Sequence, residues 1–159
     1  MILMGSQSSG KVEYPKKWNE QVEFISVDEL TEMYINQGNT EKQAETEVIN
    51  NFERFVLEAR EKKDLVILDG NFVDWVFRTT VLKSFEDKFN HIIMLVFNRS
   101  LQQLIEEEKR TSGVQELTSE VYNRIYNEYC ACKAEIEEFV LLIAGVDKVY
   151  FESFNNLFF

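Results

Sequence analysis

The chain has 159 residues, of which 45% are hydrophobic, so it is long enough to form one globular domain with a buried core. Its 17 Lys and Arg residues stand against 28 Asp and Glu residues, which gives a formal net charge of −11. This acidic balance argues against a broad nucleic-acid footprint, which needs clustered cations, although a short local basic groove is compatible with it.

The two cysteines, Cys130 and Cys132, are two positions apart, which on a helix directs their side chains to nearly opposite faces. Neither a shared metal nor a disulfide between them is expected, and reduced thiols are typical of a cytosolic protein. No apolar run reaches the length of about 18 residues that a membrane span needs, and no signal-peptide pattern is present. We therefore expect a cytoplasmic protein that has no membrane partner.

The apolar run Met1 to Met4 is typical of a buried strand, and Gly5-Ser6-Gln7-Ser8-Ser9-Gly10-Lys11-Val12 follows it directly. This segment matches the phosphate-binding pattern G-x-x-x-x-G-K followed by Ser or Thr, except at Val12. In that pattern the glycines let the backbone wrap a polyphosphate, the amides point at the anion, and the lysine reaches the transferring phosphate. Residues 5–12 are therefore predicted to bind a nucleotide such as ATP, and the alternative is an ordinary serine-rich turn. Val12 lacks the hydroxyl that would bind Mg²⁺, a hard cation that prefers oxygen ligands.

The next segments alternate between helix and strand patterns. Pro15 predicts a short, kinked or absent first helix, because its ring would crowd the carbonyl of Lys11. Val22 to Ile25 is predicted to be a strand. Ser26-Val27-Asp28-Glu29 and Thr40-Glu41-Lys42-Gln43 fit capping boxes, which open helices that end near Ile35 and Lys62.

Leu65 to Leu68 forms another buried-strand run, which ends at Asp69-Gly70-Asn71. The remaining predicted elements are a helix with Trp75, Val76, Leu82, Phe85 and Phe89, a strand at 91–97, a helix that Ser100-Leu101-Gln102-Gln103 opens with a capping box and that runs into a loop at 111–113, helical segments at 118–132 and 134–143, and a last strand at 149–151. This alternation predicts a three-layer α/β fold with a parallel sheet. Ligands bind beyond the carboxyl ends of such strands, where the 5–12 loop, Asp28 and Asp69 are expected to converge.

In the order of these features the chain resembles the P-loop kinases of the polynucleotide kinase and zeta-toxin type. The matching stretches are ILMGSQSSGK, FISVDEL, LVILDGNF followed by Arg78, and a lid-like segment LIEEEKRTSG followed by LTSEVYNRIYNEY. The resemblance implies a P-loop NTPase fold over a single domain, 1–159, with a five-stranded parallel sheet. It also implies a small helical lid at about 101–132 over the nucleotide.

The resemblance also implies roles for individual positions. Gly5, Gly10 and Lys11 match the phosphate loop, and Asp28 matches the base that takes the proton of the substrate hydroxyl. Asp69 and Asn71 match a D-x-N turn, at which Asp69 would help order a metal. Arg78 matches a substrate-side arginine, and Lys109 or Arg110 matches a lid cation that meets the transferred phosphoryl group. This set suits phosphoryl transfer, which depends on positioning and on charge stabilisation.

Some positions depart from the family, and several have a purely structural alternative. Thr31 stands near where the family often has an arginine, and the acids at 106–108 would repel a triphosphate. The alternatives are a first-turn helix acid for Asp28, a turn aspartate for Asp69, a surface ion pair for Arg78, a solvated helix face for 106–108 and a structural role for His91.

Two functions remain open at the sequence level. The first is an ATP-dependent kinase that phosphorylates a hydroxyl of a nucleoside-like or polynucleotide-end acceptor, of which the acidic surface favours a small one. The second is a catalytically inactive relative that acts as a protein interaction module. The apolar tail at 151–159 is expected either to pack on the sheet or to dock on a protein partner or a second copy.

Overall fold

The computed structural model describes residues 1–85, 87–139 and 148–152. The strands are β1 (Ile2–Met4), β2 (Glu23–Ser26), β3 (Val66–Asp69), β4 (Ile93–Phe97) and β5 (Lys148–Glu152). The α-helices are α1 (Val27–Asn36), α2 (Glu41–Lys62), α3 (Trp75–Ser84), α4 (Leu101–Ser112) and α5 (Ser119–Phe139). The predicted α/β class with a parallel sheet is confirmed.

The order of the strands brings the predicted site residues to one edge. The sheet runs β2-β3-β1-β4-β5, and all neighbouring strands are parallel. Leu3 of β1 aligns with Asp69 of β3 on one side and with Leu95 of β4 on the other. The chain leaves β1 toward β2 and β3 and later crosses to β4, so the strand order reverses at β1. The loop after β1 therefore lies at the reversal point, where open α/β sheets bind ligands.

Each face of the sheet has its own apolar cluster. Ile2 and Met4 belong to the larger cluster, in which the buried face of α2 contributes Val48 and Phe52. Leu3 points to the other face, as the alternation along a strand requires, and joins a smaller cluster with Ile67, Leu95 and Phe97. This alternation makes β1 fully buried on both sides, which is why its sequence is uniformly apolar.

The segment after the phosphate-binding pattern contains no α-helix, as Pro15 predicts. It forms 3₁₀ turns at Gln7–Ser9, Lys11–Glu13 and Pro15–Gln21. The ring of Tyr14 packs edge-on against Phe97, with 5.8 Å between the ring centroids. These tighter turns therefore still cover the smaller apolar cluster.

Capping side chains mark the starts of three helices, at the positions that the sequence predicts. Thr40 with Gln43 and Ser100 with Gln103 form complete capping boxes at the starts of α2 and α4. Ser26 caps α1 through the backbone N–H of Glu29 only. The caps matter for the site because Ser26 ends β2 and fixes the first turn of α1, where Asp28 lies.

Two predictions at the C-terminal end need correction or fall outside the described chain. The helical segments expected at 118–132 and 134–143 are one continuous helix, α5, in the described part. Residues 140–147 and 153–159 lie outside the described residues, and so does most of the apolar tail. In the parts of the chain that the structure describes, no helix is long and apolar enough to cross a membrane.

A buried ion pair joins α3 to α5. The Arg78 side chain is 0% exposed, and its Nη2 donates to Glu135 Oε2 at 2.5 Å. Its Nη1 donates to the carbonyls of Phe72 at 2.6 Å and Val73 at 3.1 Å. The guanidinium therefore ties the end of the lid helix to the turn that follows β3.

We expect Arg78→Met to lower the free energy of unfolding by about 3 kcal/mol, because breaking a buried ion pair leaves Glu135 and two carbonyls without their donor. The matched control is Arg54→Met, since Arg54 pairs with Glu58 on the exposed face of α2. That change should cost less than about 1 kcal/mol. Urea unfolding of both variants measures the difference, and equal losses would contradict a structural role for Arg78.

Candidate functional site

The loop after β1 is shaped by its glycines. A side chain on Gly5 would place its Cβ 2.8 Å from Ser9 Oγ and 2.9 Å from Phe97 Cβ, so the turn has no room for one. Gly10 has φ +86°, in the left-handed region that favours glycine. The loop therefore folds back tightly over the end of β1 and delivers Lys11 to the carboxyl edge of the sheet.

Lys11 forms a buried ion pair with Asp69. The distance from Lys11 Nζ to Asp69 Oδ1 is 2.9 Å, and both side chains are less than a tenth exposed. The pair forms because β1 and β3 are adjacent and parallel, so that the residues after one strand and at the end of the other meet. In this arrangement the Asp69 oxygen that was expected to help order a metal is bonded to the lysine.

A cavity of about 450 Å³ opens beside this ion pair. Its lining residues come from the loop, from the ends of β2 and β3 and from one face of α5: Gly5, Ser6, Gln7, Lys11, Asp28, Gly70, Asn71, Val73, Asn127, Glu128 and Ala131. The structure therefore brings together the loop and Asp28 at this cavity and places Asp69 beside it through the ion pair with Lys11, and these are the three features that the sequence predicts to converge. Asp28 is exposed to this space at the start of α1.

Two carboxylates of the lid bind the loop directly. The backbone N–H of Gln7 donates to Glu128 Oε2 at 2.9 Å, and the Ser8 hydroxyl donates to Glu108 Oε2 at 2.6 Å. These are donors of the kind that a phosphate-binding loop offers to an anion. In this structure the helices α4 and α5, which contain the predicted lid, therefore contact the loop, and their carboxylates occupy donors that could bind an anion.

Arg124 of α5 links the two carboxylates. Its Nη1 donates to Gln7 Oε1 at 2.7 Å and to Glu128 Oε1 at 3.3 Å, and its Nη2 lies 3.1 Å from Glu108 Oε1. Sequence reasoning missed this residue because the pattern of α5 marks it only as a polar helix position. Arg124 comes close to Glu108 only when α4 and α5 pack against each other, and the sequence pattern does not show this packing.

Arg99 is a second cation that the sequence did not single out. It lies two residues after β4, is buried, and donates from Nε to the Ser9 carbonyl at 3.2 Å. Its position directly after a central strand is the signal that could have found it, because such positions converge on the loop. Arg99 holds the middle of the loop from the β4 side.

The remaining predicted cations do not line the cavity. Arg78 is buried against Glu135, so the surface position of the alternative is wrong, and Arg78 is not among the residues that line the cavity. Arg110 is exposed and makes two hydrogen bonds to Glu107, at 2.9 Å and 2.5 Å. That arginine holds the pKa of the Glu107 carboxyl below its usual range. Thr31, where a substrate cation was in doubt, uses its hydroxyl to bond the Val27 carbonyl at 2.8 Å.

The acids of α4 are more than a solvated face. Glu107 and Glu108 line a second cavity of about 270 Å³ on the other side of the loop, together with Glu13 and Arg124. The expectation that the acids at 106–108 simply face water therefore holds for the exposed Glu106 alone. The carboxylates around this cavity oppose the entry of a polyphosphate while α4 and α5 contact the loop.

Cys132 lies under the loop. Cys130 is exposed and Cys132 is buried, which agrees with the opposite helix faces that their spacing predicts. Burial raises the pKa of the Cys132 thiol, while the Ser6 backbone N–H and the charge of Lys11 act in the opposite direction. The Cys132 sulfur is therefore buried where α5 meets the loop.

A protein-held magnesium ion does not fit these residues. Within the described ranges no three His, Cys, Asp or Glu side chains form a cluster that could hold a metal. Asp69 is engaged by Lys11, and residue 12 is a valine. We therefore route no chemical step through a metal that the protein holds.

No protein-family model matches the sequence, and no curated protein matches it at a significant level. Solved structures do share its fold. A chain of the Pnkp1/Rnl/Hen1 RNA repair complex has a TM-score of 0.69 and 16% identity, covering 87% of this chain and 45% of that one. A gluconokinase from Sinorhizobium meliloti 1021 has a TM-score of 0.58 and 13% identity, covering 94% and 79%. Shikimate kinase from Acinetobacter baumannii in complex with shikimate has a TM-score of 0.57 and 18% identity, covering 96% and 82%.

These likenesses show that the chain has a P-loop kinase fold. At identities below a fifth they show the fold alone and do not show what the chain binds or acts on. The chain spans less than half of the matched chain from the RNA repair complex.

We expect the double variant Glu108→Gln, Glu128→Gln to move α4 and α5 away from the loop. Both carboxylates accept hydrogen bonds from the loop and lie close to Arg124, and the variant removes their charges. Hydrogen bonds to charged groups contribute about 1.5–3 kcal/mol, so the open population should rise by about tenfold or more. In a Cys130→Ser background, the rate of thiol alkylation at Cys132 measures this opening.

The matched control is Glu106→Gln, Glu120→Gln, which neutralises one exposed acid on each of the same two helices. Its alkylation rate should equal that of the parent protein. If the two double variants react at the same rate, the contacts of Glu108 and Glu128 do not hold the lid.

Proposed function

We propose that the protein is a phosphotransferase that binds ATP through residues 5–11 and transfers the terminal phosphoryl group to a hydroxyl of a small acceptor. The observation that carries this proposal is the shared cavity of Lys11, Asp28 and the loop backbone. A volume of about 450 Å³ suits a small-molecule ligand. The fold is that of P-loop kinases.

Each residue has a role in the proposed transfer. The acceptor oxygen attacks the terminal phosphorus while the bond from that phosphorus to the bridging oxygen breaks, and ADP carries away the electron pair. Asp28 accepts the proton of the acceptor hydroxyl. Lys11 meets the negative charge on the phosphates, and Asn71 positions the acceptor. Asp69 is a positioning residue, because it holds the ammonium of Lys11.

Nucleotide entry requires the lid carboxylates to leave the loop. The phosphates would take over the Gln7 N–H and the Ser8 hydroxyl from Glu128 and Glu108. The released Arg124 would then face the bound phosphates. We therefore propose Arg124, rather than Lys109 or Arg110, as the cation that the lid supplies.

The second candidate function is a catalytically inactive relative that works as an interaction module. It is favoured by the carboxylates that hold the loop in the closed state and by Val12, which removes the hydroxyl for Mg²⁺. ATP binding separates the two candidates, because an inactive module does not need it.

ATP with magnesium at about 100 times its dissociation constant should stabilise the wild-type protein by about 2.7 kcal/mol, which a thermal scan detects. Lys11→Met should abolish this ligand-induced shift, because the loop loses the cation that meets the phosphates. The shift on adding ATP is the relevant quantity, since the variant also loses its buried pair with Asp69 and melts lower without ligand.

Lys16→Met is the matched control, because Lys16 is an exposed lysine that pairs with Glu13. It should keep the full ATP shift. Absence of any shift in the wild type and in Glu108→Gln, Glu128→Gln would rule out the phosphotransferase and leave the interaction module.

Asp28→Asn should lower the rate of phosphoryl transfer by about 10²-fold or more while leaving the ATP-induced melting shift intact, because the residue takes a proton and does not contact the loop. Glu29→Gln changes the neighbouring first-turn acid of α1 and should retain full transfer. Transfer of radiolabelled terminal phosphate to a panel of nucleosides and sugars measures both. Unchanged transfer in Asp28→Asn would remove that residue from the mechanism.

A further inference from the structure

We propose that the acceptor is an uncharged polyhydroxyl compound, such as a nucleoside or a free sugar, and that acceptors carrying a phosphate or a carboxylate are rejected. This inference rests on the proposed function and narrows it. It contrasts with the nucleic-acid end that the sequence leaves open.

The charges that line the 450 Å³ cavity support an uncharged acceptor. Among the described lining residues, Lys11 is the one cation, and it is buried and bonded to Asp69. Asp28 and Glu128 add two carboxylates to the same lining. The charge of Lys11 is already balanced by Asp69, so an anionic acceptor would meet the carboxylates of Asp28 and Glu128 without a further lining cation to compensate them.

The nearby arginines cannot supply that missing charge. Arg78 is fully buried and bonded to Glu135 and to two carbonyls, so the charge of its guanidinium is already compensated. Arg124 is engaged with Gln7, Glu108 and Glu128 in the absence of nucleotide, and in the proposed transfer it faces the nucleotide phosphates. Neither arginine lines the acceptor cavity.

The remaining lining residues suit hydroxyl groups on a ring. The exposed residues Asn71, in the turn after β3, and Asn127, on α5, both line the cavity. Each amide offers both donors and an acceptor, which is what a hydroxyl needs. Val73 and Ala131 add apolar surface from the same turn and the same helix, against which a ring face can pack.

The same charges favour release of the product. Transfer converts a neutral hydroxyl into a phosphate monoester, with the proton passing to Asp28. The monoester carries a charge that the acceptor lacked, and Glu128 repels it. A site that rejects anionic acceptors therefore also rejects its own product.

The test compares two matched pairs of acceptors that keep the same ring and the same primary hydroxyl: uridine with uridine 3′-monophosphate, and glucose with glucose 1-phosphate. Calorimetric titration without ATP gives the affinity of each. We expect at least one neutral compound to bind at least about tenfold tighter than its charged partner, given the energy of a charge close to two carboxylates at a partly exposed site. Equal or tighter binding of the charged compounds, or binding of none of the four, would overturn the proposal.

Asn127→Arg adds a cation to the cavity wall and should bring the affinity for the charged member of a pair to within about threefold of the neutral one. Asn123→Arg is the matched control, because Asn123 is exposed one turn earlier on α5 and does not line the cavity. It should leave the preference unchanged. If both arginine variants change the preference equally, the lining charges do not set it.

The failure of this inference is distinguishable from failure of the proposed function. An ATP-induced melting shift together with a preference for charged acceptors would remove only the acceptor class. A preference for neutral compounds without an ATP shift would remove the phosphotransferase and retain the charge selectivity of the cavity.

Discussion

The buried pair of Lys11 and Asp69 is the interaction on which the site depends. Two charges that are almost completely removed from water are tolerated only when they face each other, since removal of either leaves an uncompensated charge in the interior. The adjacency of β1 and β3 provides that geometry, and the tight turn at Gly5 brings the loop back to meet it. The position of the lysine head under the loop is therefore a consequence of strand order. Asp69 fixes the ammonium at the sheet edge, and this leaves the carboxylate little freedom for another role.

The lid is governed by a similar balance of charge. Glu108 and Glu128 accept hydrogen bonds from the loop, and Arg124 lies between them. Carboxylates are good acceptors for the same N–H and O–H donors that bind phosphate, so a closed lid without nucleotide leaves these donors satisfied. Nucleotide binding would then be an exchange of carboxylates for phosphates on the same atoms. Two of the many acidic residues of the chain, Glu108 and Glu128, thus contact the loop directly.

Much of the fold could be predicted from short-range signals. Uniformly apolar runs indicated the strands that are buried on both faces, and the capping boxes at Thr40 and Ser100 fixed two helix starts. Pro15 correctly indicated that no regular helix follows the loop. These features are local, because they depend on residues within one or two turns of each other. The sequence prediction divided α5 into two segments at Lys133, although no glycine or proline there interrupts the helix.

The site was predictable only where strand ends determine it. Lys11, Asp28 and Asp69 lie after or at the ends of strands that become neighbours, so their convergence could be inferred from the alternation of elements alone. Arg78 could not be placed that way, because its burial depends on Glu135, which lies 57 residues later on α5. Arg124 is a similar case, since its partners Gln7 and Glu108 are on different elements.

Charge pairing between distant elements therefore decides which arginines serve the site and which serve the fold. The phosphate-binding loop is recognisable from a short sequence pattern. The charge of the proposed acceptor, in contrast, depends on ion pairs between residues that are far apart in the sequence. Arg78 is paired with Glu135 of α5 and does not line the cavity, whereas the carboxylates of Asp28 and Glu128 do. The pairing that stabilises the lid helix thus also removes the cation that an anionic acceptor would need.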